Sequence, residues 1–577
     1  MTITPIKEIA GAPLSEEQTT YLTGFFAGVE QRAVVFADFL SSHEEISARA
    51  VKAGDETEEE VVLTAEERMK NEEHPLDSYY RLLENAQTNR APDKEDTYRF
   101  KWNGLFYLAP VKDAFMARLR IPGGIVKTYQ LRGLAQTAKD LTTGYCQITT
   151  RANLQVRLIQ PKDAPAVLRR IQAIGLHTRG TGADNIRNLT SNPTAGIDPR
   201  EVIDCTPFVQ ELADFILSHR EFYNLPRKFN IAFDGGGLIG SVEDTNDIGA
   251  KAVTVGTDVF FRVSLGGATG HKSFARDLGV VVAPKDVVKV IIAIVRVYLR
   301  NGNRGDRKKA RLKHLLDKWT MEEYLAETER VLGNSLTRMP LEPAAIAYPS
   351  AELPHTHIGA YPQKQKGLYY LGVALPVGQI TPAQMFRIAD LADNYGSGEI
   401  RLTVWQNFII PNIPEAYVET VKKAVRKMGF DCQQSNIASG VIACTGNKYC
   451  KFSSTDTKGH ALGLIKHLEK RIKLDQPVNI HFTGCPNSCA QHYMGDIGML
   501  GAKTRDGHEA YHVFVGGGFG NNAACGRQIY QALPFDEVNV AVEKILLAYL
   551  KHRQGSESFQ SFTTRHDVNS LQVLFQE

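Results

Sequence analysis

Four cysteines near the C-terminus have types and spacing that suit a metal cluster. They occur as Cys444-x5-Cys450 in ACTGNKYCKF and as Cys485-x3-Cys489 in TGCPNSCAQ. A [4Fe-4S] cluster needs four thiolates, one for each iron. Structural zinc sites usually place paired ligands about two to four residues apart, so this combination of gaps fits them poorly. The spacing therefore predicts an iron–sulfur cluster held by two loops.

The other cysteines are scattered along the chain and do not form a disulfide framework. We interpret these four as small buried residues; they are Cys146, Cys205, Cys432 and Cys525. A chain with so few cysteines and no pairing pattern is typical of a reducing compartment, so we expect the cytoplasm.

The GCPNSC string and the two cysteine gaps closely resemble the siroheme and iron–sulfur nitrite and sulfite reductases. The resemblance extends from about residue 75 to the C-terminus. It implies that Cys444, Cys450, Cys485 and Cys489 bind one [4Fe-4S] cluster. It also implies that the Cys489 thiolate is the axial ligand of siroheme iron, so that electrons pass through one sulfur atom.

Four further positions match motifs that line the substrate side of siroheme in this family. Arg118 lies in ARLRIPGG, Arg151 in ITTRANLQ, and both Lys228 and Asn230 in LPRKFN. The substrate of such an enzyme is a small oxyanion, which positioned cations and hydrogen-bond donors stabilise. We therefore predict that these four residues form the catalytic pocket.

Asn230 favours nitrite as the substrate. Sulfite reductases of the family typically carry a second lysine at this position, which helps to bind a doubly charged anion. Nitrite carries one charge, for which a neutral amide donor is sufficient. We expect six-electron reduction of nitrite to ammonia, with reduction of sulfite to sulfide as the alternative. A non-catalytic iron–sulfur redox sensor is an alternative of another class, but it would not need the cationic residues.

The composition limits the partners. The chain has 577 residues, is 43% hydrophobic and 23% charged, and has a formal net charge of +3, which is too small to indicate nucleic acid binding. No apolar run is long enough to span a membrane. The glycine runs do not match a dinucleotide-binding GxGxxG motif, so we expect electrons from a separate protein. Reduced ferredoxin, or a similar small acidic carrier, is the predicted donor.

The basic stretch Arg300–Lys313 contains seven Lys or Arg residues and one Asp. Three roles remain open for it: a solvated helix face, a set of partners for the carboxylates of siroheme, or a docking patch for the acidic donor.

Internal duplication predicts the architecture. The segment from Ala117 and the segment from Leu371 align without a gap, and a second similarity begins at Asn230 and Asn479. The first copy lacks the cluster cysteines, and we place Asn185 and Arg187 at the equivalent positions.

The predicted fold class is α+β or α/β, a pseudo-twofold duplicated reductase fold. Two ferredoxin-like half-domains form one unit, with two larger α/β domains and an N-terminal helical extension. The predicted domains are an N-terminal helical extension, a first half-domain, a first α/β domain with the cationic residues, a second half-domain, and a second α/β domain with the cluster; their ranges are 1–100, 101–172, 173–355, 356–430 and 431–577. We interpret the acidic run from Gly54 as solvated. The tail LQVLFQE resembles part of an engineered protease site or the start of a short helix, and we assign it no function.

Overall fold

The computed structural model describes most of the chain beyond residue 62. The described ranges are 63–108, 110–111, 114–142, 144–339, 345–346, 357–433 and 435–577, with a few isolated residues before 20. Residues 63–577 form one compact unit. The acidic run from Gly54 lies outside the described residues.

Within residues 1–62, a separate unit, strands β1 (Glu8–Ile9) and β2 (Ala12–Pro13) pair antiparallel. Three helices follow in the larger unit: α1 (Ala65–Glu72), α2 (Tyr79–Gln87) and α3 (Lys94–Arg99). The side chain of Thr64 caps α1 by accepting the Glu67 N–H, which satisfies one of the free donors of a helix N-terminus.

These three helices span residues 65–99, within the predicted N-terminal extension, and the second of them buries one face only. Leu82 is buried, whereas Tyr80 and Leu83 are 46% and 40% exposed.

The two half-domains repeat the same order of elements. The first half-domain contains β3 (Leu105–Tyr107), β4 (Phe115–Arg118), β5 (Ile125–Lys127), α4 (Thr128–Leu141), β6 (Cys146–Ile148), β7 (Leu154–Ile159) and α5 (Ala164–Ala173). The second contains β14 (Gly359–Pro362), β15 (Leu368–Val373), β16 (Gln379–Ile380), α10 (Pro382–Tyr395), β17 (Glu399–Leu402), β18 (Phe408–Pro414) and α11 (Val418–Lys427). A single hydrophobic core spans both half-domains.

The half-domains exchange one strand each. One sheet has the order β16-β6-β7-β4-β3, and the other has the order β14-β15-β18-β17-β5. Ile125 of β5 pairs with Arg401 in the second half-domain, and Gln379 of β16 pairs with Gln147 in the first. The exchange is reciprocal, as a pseudo-twofold axis requires. The unit therefore consists of two interlocked sheets and not of one shared sheet.

Unusual backbone geometry is also repeated. The tight turn before the exchanged strand has positive φ at Gly124 and at Gly378, with values of 77° and 73°. The residues before these glycines, Gly123 and Val377, have φ of 62° and 49°. A β-branched residue such as Val377 rarely has positive φ. The path of the chain, and not the preference of the residue, therefore determines that both copies form this turn.

The first α/β domain has a six-stranded sheet with helices packed on it. Its elements are α6 (Thr206–Ser218), β8 (Ile231–Asp234), β9 (Ile248–Val255), β10 (Asp258–Leu265), β11 (Arg276–Val282), α7 (Val287–Asn301), α8 (Leu312–Leu316), α9 (Met321–Leu332), β12 (Thr337–Arg338) and β13 (Ala345–Ile346). Strand β8 pairs parallel with β9, and the other pairings are antiparallel.

The second α/β domain repeats this plan with five strands in the order β19-β20-β21-β22-β23. Its elements are β19 (Val441–Ala443), α12 (Thr457–Leu468), β20 (Ile480–Thr483), β21 (Ile497–Lys503), β22 (Glu509–Val515), β23 (Arg527–Pro534), α13 (Phe535–His552), α14 (Phe559–Thr564) and α15 (Val568–Leu574). The tail is an integral part of this domain, because Leu571 and Phe575 are buried in its core. In the described part of the chain, no helix combines the length and apolarity that a membrane span requires.

Candidate active site

The four predicted cluster cysteines lie on two neighbouring loops. Cys444 follows β19 and Cys485 follows β20, and these two strands pair in parallel, so their carboxyl ends meet at one sheet edge. The Gly484 N–H donates to the Cys444 sulfur at 3.3 Å. Burial raises the pKa of Cys444, Cys450 and Cys485, and a Cys489 thiolate would raise each of them further. The structure therefore brings all four sulfur atoms into one electrostatic neighbourhood.

Two buried cations adjoin this neighbourhood. Arg157 is fully buried and donates to Thr445 Oγ1 at 3.0 Å, yet its Nε and Nη1 atoms have no hydrogen-bond partner. The Lys458 ammonium donates to the Val377 and Ala443 carbonyls, and burial lowers its pKa to about 7. Buried donors without a partner, such as Nε and Nη1 of Arg157, cost free energy unless an anionic group accepts hydrogen bonds from them.

The donor set fits a cluster better than a single ion. A [4Fe-4S] cluster separates its ligands, because each thiolate binds a different iron. Four thiols from two loops, with cations behind them, match that requirement.

Cys489 faces the first half of the molecule. Its carbonyl accepts the Thr150 hydroxyl at 2.9 Å, and its side chain is exposed. A Cβ atom added to Gly270 would lie 3.4 Å from the Pro486 carbonyl, so the loop around Gly270 also packs on the CPNSC loop. The CPNSC loop thus lies at the junction of the two halves.

Arg118 and Lys228 converge on Cys489 from the first half. Burial lowers the pKa of Arg118 to about 10 and that of Lys228 to about 8, while a Cys489 thiolate opposes both shifts. The Arg118 guanidinium stacks on Phe106 and donates to the Thr181 carbonyl at 3.3 Å. Lys228 makes no hydrogen bond or ion pair with any described residue. Both cations are therefore free to bind an anion beside Cys489.

Arg187 belongs to the same group, and the sequence analysis missed this role. Burial lowers its pKa well below the ordinary value, and the neighbouring cation Arg118 lowers it further. Its Nη atoms donate to the carbonyls of Thr181 and Ala183, at 2.6 and 2.8 Å. The same Thr181 carbonyl accepts from Arg118, so one turn orients both guanidinium groups.

Arg151 is more committed than predicted. Its guanidinium donates to the carbonyl of Asn188, to the carbonyl of Ile231 and to Oδ1 of Asn246, so all three nitrogens are engaged. Burial lowers its pKa to about 10, and Asp247 opposes that shift. The structure therefore places Arg151 beside the cationic group, with little capacity left for a new ligand.

Asn230 lies at the start of β8. Its backbone N–H donates to Asp247 at 2.8 Å, whereas its amide side chain has no hydrogen-bond partner among the described residues. In the second copy, the Asn479 backbone N–H donates in the same way to Asp496 at 2.8 Å. The Asn230 amide is thus available to a ligand.

The stretch Arg300–Lys313 is mainly an internal anchor, which none of the three open roles described. Arg304 pairs with Glu67 at 2.8 Å, Arg307 with Asp184 at 2.8 Å and Arg311 with Asp247 at 2.7 Å. Lys313 pairs with Asp317 at 2.7 Å, and the other three cations, Arg300, Lys308 and Lys309, are exposed.

The equivalence predicted for Asn185 and Arg187 is wrong. The Gly235 N–H donates to Asn192 Oδ1 at 2.7 Å, as the Gly484 N–H donates to the Cys444 sulfur. Asn192 therefore occupies the place of Cys444. The parallel pairing of Thr190 with Ala232, which matches that of Ile442 with His481, sets this register.

All eight cysteines are free thiols. Cys146, Cys205 and Cys432 are buried as predicted, whereas Cys525 is half-exposed. Lys272 lies close enough to Cys525 to lower its pKa, against the raising effect of burial.

Comparison with known proteins agrees with this geometry. The nitrite and sulphite reductase 4Fe-4S domain matches residues 182–336 and 436–569. The nitrite/sulfite reductase ferredoxin-like half domain matches residues 109–174 and 361–428. The chain belongs to the nitrite and sulfite reductase family. The predicted duplicated architecture is confirmed.

Curated relatives and a solved structure show the same family. The chain is 36% identical to ferredoxin–nitrite reductase of Synechococcus elongatus, over 78% of this chain and 89% of the relative. It is 34% identical to the chloroplastic ferredoxin–nitrite reductase of Spinacia oleracea, over 78% and 77%. The Mycobacterium tuberculosis NirA structure superposes with a TM-score of 0.82 at 29% identity, covering 88% of this chain and 97% of that one.

Proposed function

We propose that the protein is a ferredoxin-dependent nitrite reductase that reduces nitrite to ammonia with six electrons. The observation that carries this proposal is the group of half-buried cations beside Cys489, formed by Arg118, Arg187 and Lys228, none of which forms an ion pair with a described residue. Removing such charges from water costs free energy, and a bound anion would offset that cost. A redox sensor would not need them.

The cysteines would hold the [4Fe-4S] cluster, with Cys489 also ligating siroheme iron. Siroheme, when bound, would supply the iron at which the small anion is reduced. The free Nε and Nη1 donors of Arg157 suit an anionic group of the bound cofactors. The boundaries predicted for the five domains remain part of the proposal, supported by the three hydrophobic cores.

The cationic group would bind nitrite and hold it as its negative charge density rises during reduction. Lys228 also carries a proton whose release is eased by burial, since its pKa is lowered to about 8. Such a group can donate a proton near neutral pH and regain it from solvent. The Asn230 amide adds a neutral donor, which favours nitrite over sulfite.

The electron donor and the compartment follow from the family and from the thiols. Relatives are named for ferredoxin, and we assign ferredoxin, or a similar small acidic carrier, as the donor of this chain. Eight free thiols suit the reducing cytoplasm, where we place the enzyme. Sulfite reduction is the less favoured activity, because the named relatives are nitrite reductases.

Replacing Cys489 by serine tests the proposed shared ligand. The Cys489→Ser protein should lose the cluster signal and have an altered siroheme absorption spectrum, because one sulfur serves both groups. Cys525→Ser is the matched control and should retain both signals, since Cys525 lies outside the cluster loops. A Cys489→Ser protein with a normal siroheme spectrum would contradict the assignment.

A further inference from the structure

Helix α1 contributes a buried ammonium group that contacts the segment leading to Lys228. The side chain of Lys70 is 1% exposed, and its Nζ atom donates to the Leu225 carbonyl at 2.9 Å. The same ammonium lies 3.5 Å from Asp184 and pairs with Glu67 on its own helix. Two carboxylates therefore balance its charge, and it donates hydrogen bonds both to Glu67 and to the Leu225 carbonyl.

The segment Asn224–Arg227 is held from the other side by Arg304. This guanidinium pairs with Glu67 at 2.8 Å and donates to the Asn224 carbonyl at 2.9 Å. Glu67 thus links two cations that each bind a carbonyl of the same segment. The segment is clamped between helix α1 and the end of helix α7.

Displacement of this segment would be transmitted to Lys228. Pro226 follows Leu225, and a proline restricts both its own φ and the conformation of the residue before it. The Leu225 N–H donates to the Asp184 carbonyl at 3.2 Å, and the Phe229 N–H donates to the Asn185 carbonyl at 3.0 Å. Lys228 therefore follows a conformationally restricted segment, Asn224–Arg227, which we call the strap. The position of the strap depends on the contacts at Leu225.

Asp184 connects the same cation to the rest of the pocket. It accepts two hydrogen bonds from Arg307 and one from the Tyr98 hydroxyl. The turn immediately before it supplies the carbonyls of Thr181 and Ala183 that orient Arg187. Lys70 thus contacts both the strap that carries Lys228 and the turn that holds Arg187.

We propose that Lys70 is a positioning residue for nitrite binding, which sets the location of Lys228 through the Leu225 carbonyl. This inference rests on the proposed function, because it concerns the same anion site. It assigns a role in the pocket to the N-terminal helical extension, which lies outside the duplicated halves.

The test is a double-mutant cycle on the full-length holoenzyme. The measured quantity is the dissociation constant of nitrite, read from the change in siroheme absorption of the oxidised enzyme. Lys70→Met should weaken nitrite binding about tenfold, because a displaced Lys228 would lose its charge-assisted hydrogen bond to the anion. In the Lys228→Met background the same change should have little effect, because the group that Lys70 positions is gone.

The matched control is Arg68→Met, which removes an exposed cation from the same helix and should leave nitrite binding unchanged. If Lys70→Met fails to fold, Glu67→Gln keeps the side-chain shape and should show a smaller weakening with the same dependence on Lys228.

Equal weakening in both backgrounds would overturn the inference and leave Lys70 with a structural role only. An unchanged dissociation constant in Lys70→Met would also overturn it. Failure of the unmodified holoenzyme to bind or reduce nitrite would instead refute the proposed function, so the two failures are distinguishable.

Discussion

At the scale of single residues, Arg187 and Arg151 differ in what their guanidinium groups are free to do. Arg187 donates to two carbonyls of one turn and has Arg118 as a neighbour, whereas every nitrogen of Arg151 is engaged by the protein. Only the first arrangement leaves a directed charge available to a substrate anion.

Arg187→Met should therefore slow nitrite turnover about ten- to a hundredfold, the loss of one charge-assisted hydrogen bond. Arg151→Met should slow normalised turnover less, because the protein already engages its guanidinium. The check is steady-state kinetics normalised to bound siroheme. If turnover per bound siroheme is unchanged in Arg187→Met, Arg187 does not belong to the substrate pocket.

Asp247 and Asp496 occupy equivalent positions with different charge environments. Arg311 pairs with Asp247, whereas Asp496 has no cationic partner among the described residues. Burial raises the pKa of Asp496 from 3.8 to about 7. Of these two aspartates, only Asp247 has a cationic partner among the described residues, and Asp247 lies in the half that carries the cationic group.

Asp496 makes a specific pH dependence expected. Between about pH 4 and pH 7 the folded protein keeps a proton that the unfolded chain has lost, so this group's contribution to the free energy of unfolding falls as pH rises. Asp496→Asn removes the titration and should flatten that decline. Exposed Asp506→Asn is the control. Chemical denaturation at several pH values measures the effect, and parallel curves for Asp496→Asn and the unmodified protein would contradict it.

Sequence reasoning named the cysteines, Arg118, Lys228 and Asn230 from motifs, and these remain predictions, but it did not assign Arg187 to the pocket. Motif strings identify residues whose spacing is local, as in GCPNSC. Arg187 lies in NIRN, which the sequence analysis aligned incorrectly with the positions of the cluster cysteines. Its role becomes visible only when the turn at Thr181 is folded beside Arg118.

At the scale of elements, the duplicated turn before each exchanged strand is the most constrained feature. Gly124 and Gly378 both have positive φ, and an added Cβ would lie 2.6 Å from the Leu402 carbonyl and 2.4 Å from the Ile148 carbonyl, respectively. Each contact crosses to the other half-domain. The turns therefore lock the interlocked sheets together.

Gly124→Ala and Gly378→Ala should each destabilise the protein by at least about 1–2 kcal/mol, the cost of a left-handed conformation before any clash is added. Gly463→Ala is the control, because Gly463 lies exposed within α12 with no atom near its Cβ position. It should stabilise the protein by about 0.5–1 kcal/mol. Denaturation midpoints measure all three, and a neutral Gly378→Ala would show that the turn can relax.

The duplicated elements could be predicted from gap-free alignment, but the strand exchange could not. A strand has the same alternation of side chains whichever sheet it joins, so the pattern does not reveal its partner. The pairing of Ile125 with Arg401 is determined by tertiary contacts between the half-domains and not by the local sequence. The inward ion pairs of Arg304, Arg307 and Arg311 were hidden for the same reason, since a basic stretch reads alike whether its partners are internal or external.

At the scale of the whole molecule, the two halves divide the chemistry between them. The second α/β domain supplies the cysteines, and the first half of the duplication supplies the cations that face Cys489, with Arg118 on its half-domain and Lys228 on its α/β domain. In the first half Asn192 occupies the position equivalent to Cys444. Its side chain forms hydrogen bonds with Asp234, Ile239 and Gly235. One site at the junction of the halves is the consequence.

The central claim is that this junction reduces nitrite in preference to sulfite. The most direct test is steady-state turnover of the purified holoenzyme with each anion, using reduced ferredoxin as the electron donor. We expect ammonia from nitrite, a higher kcat/KM for nitrite than for sulfite, and a fall in that ratio in Asn230→Lys, because the added cation suits the doubly charged anion. A preference for sulfite in the unmodified enzyme, or activity with a nicotinamide cofactor and no second protein, would contradict the account.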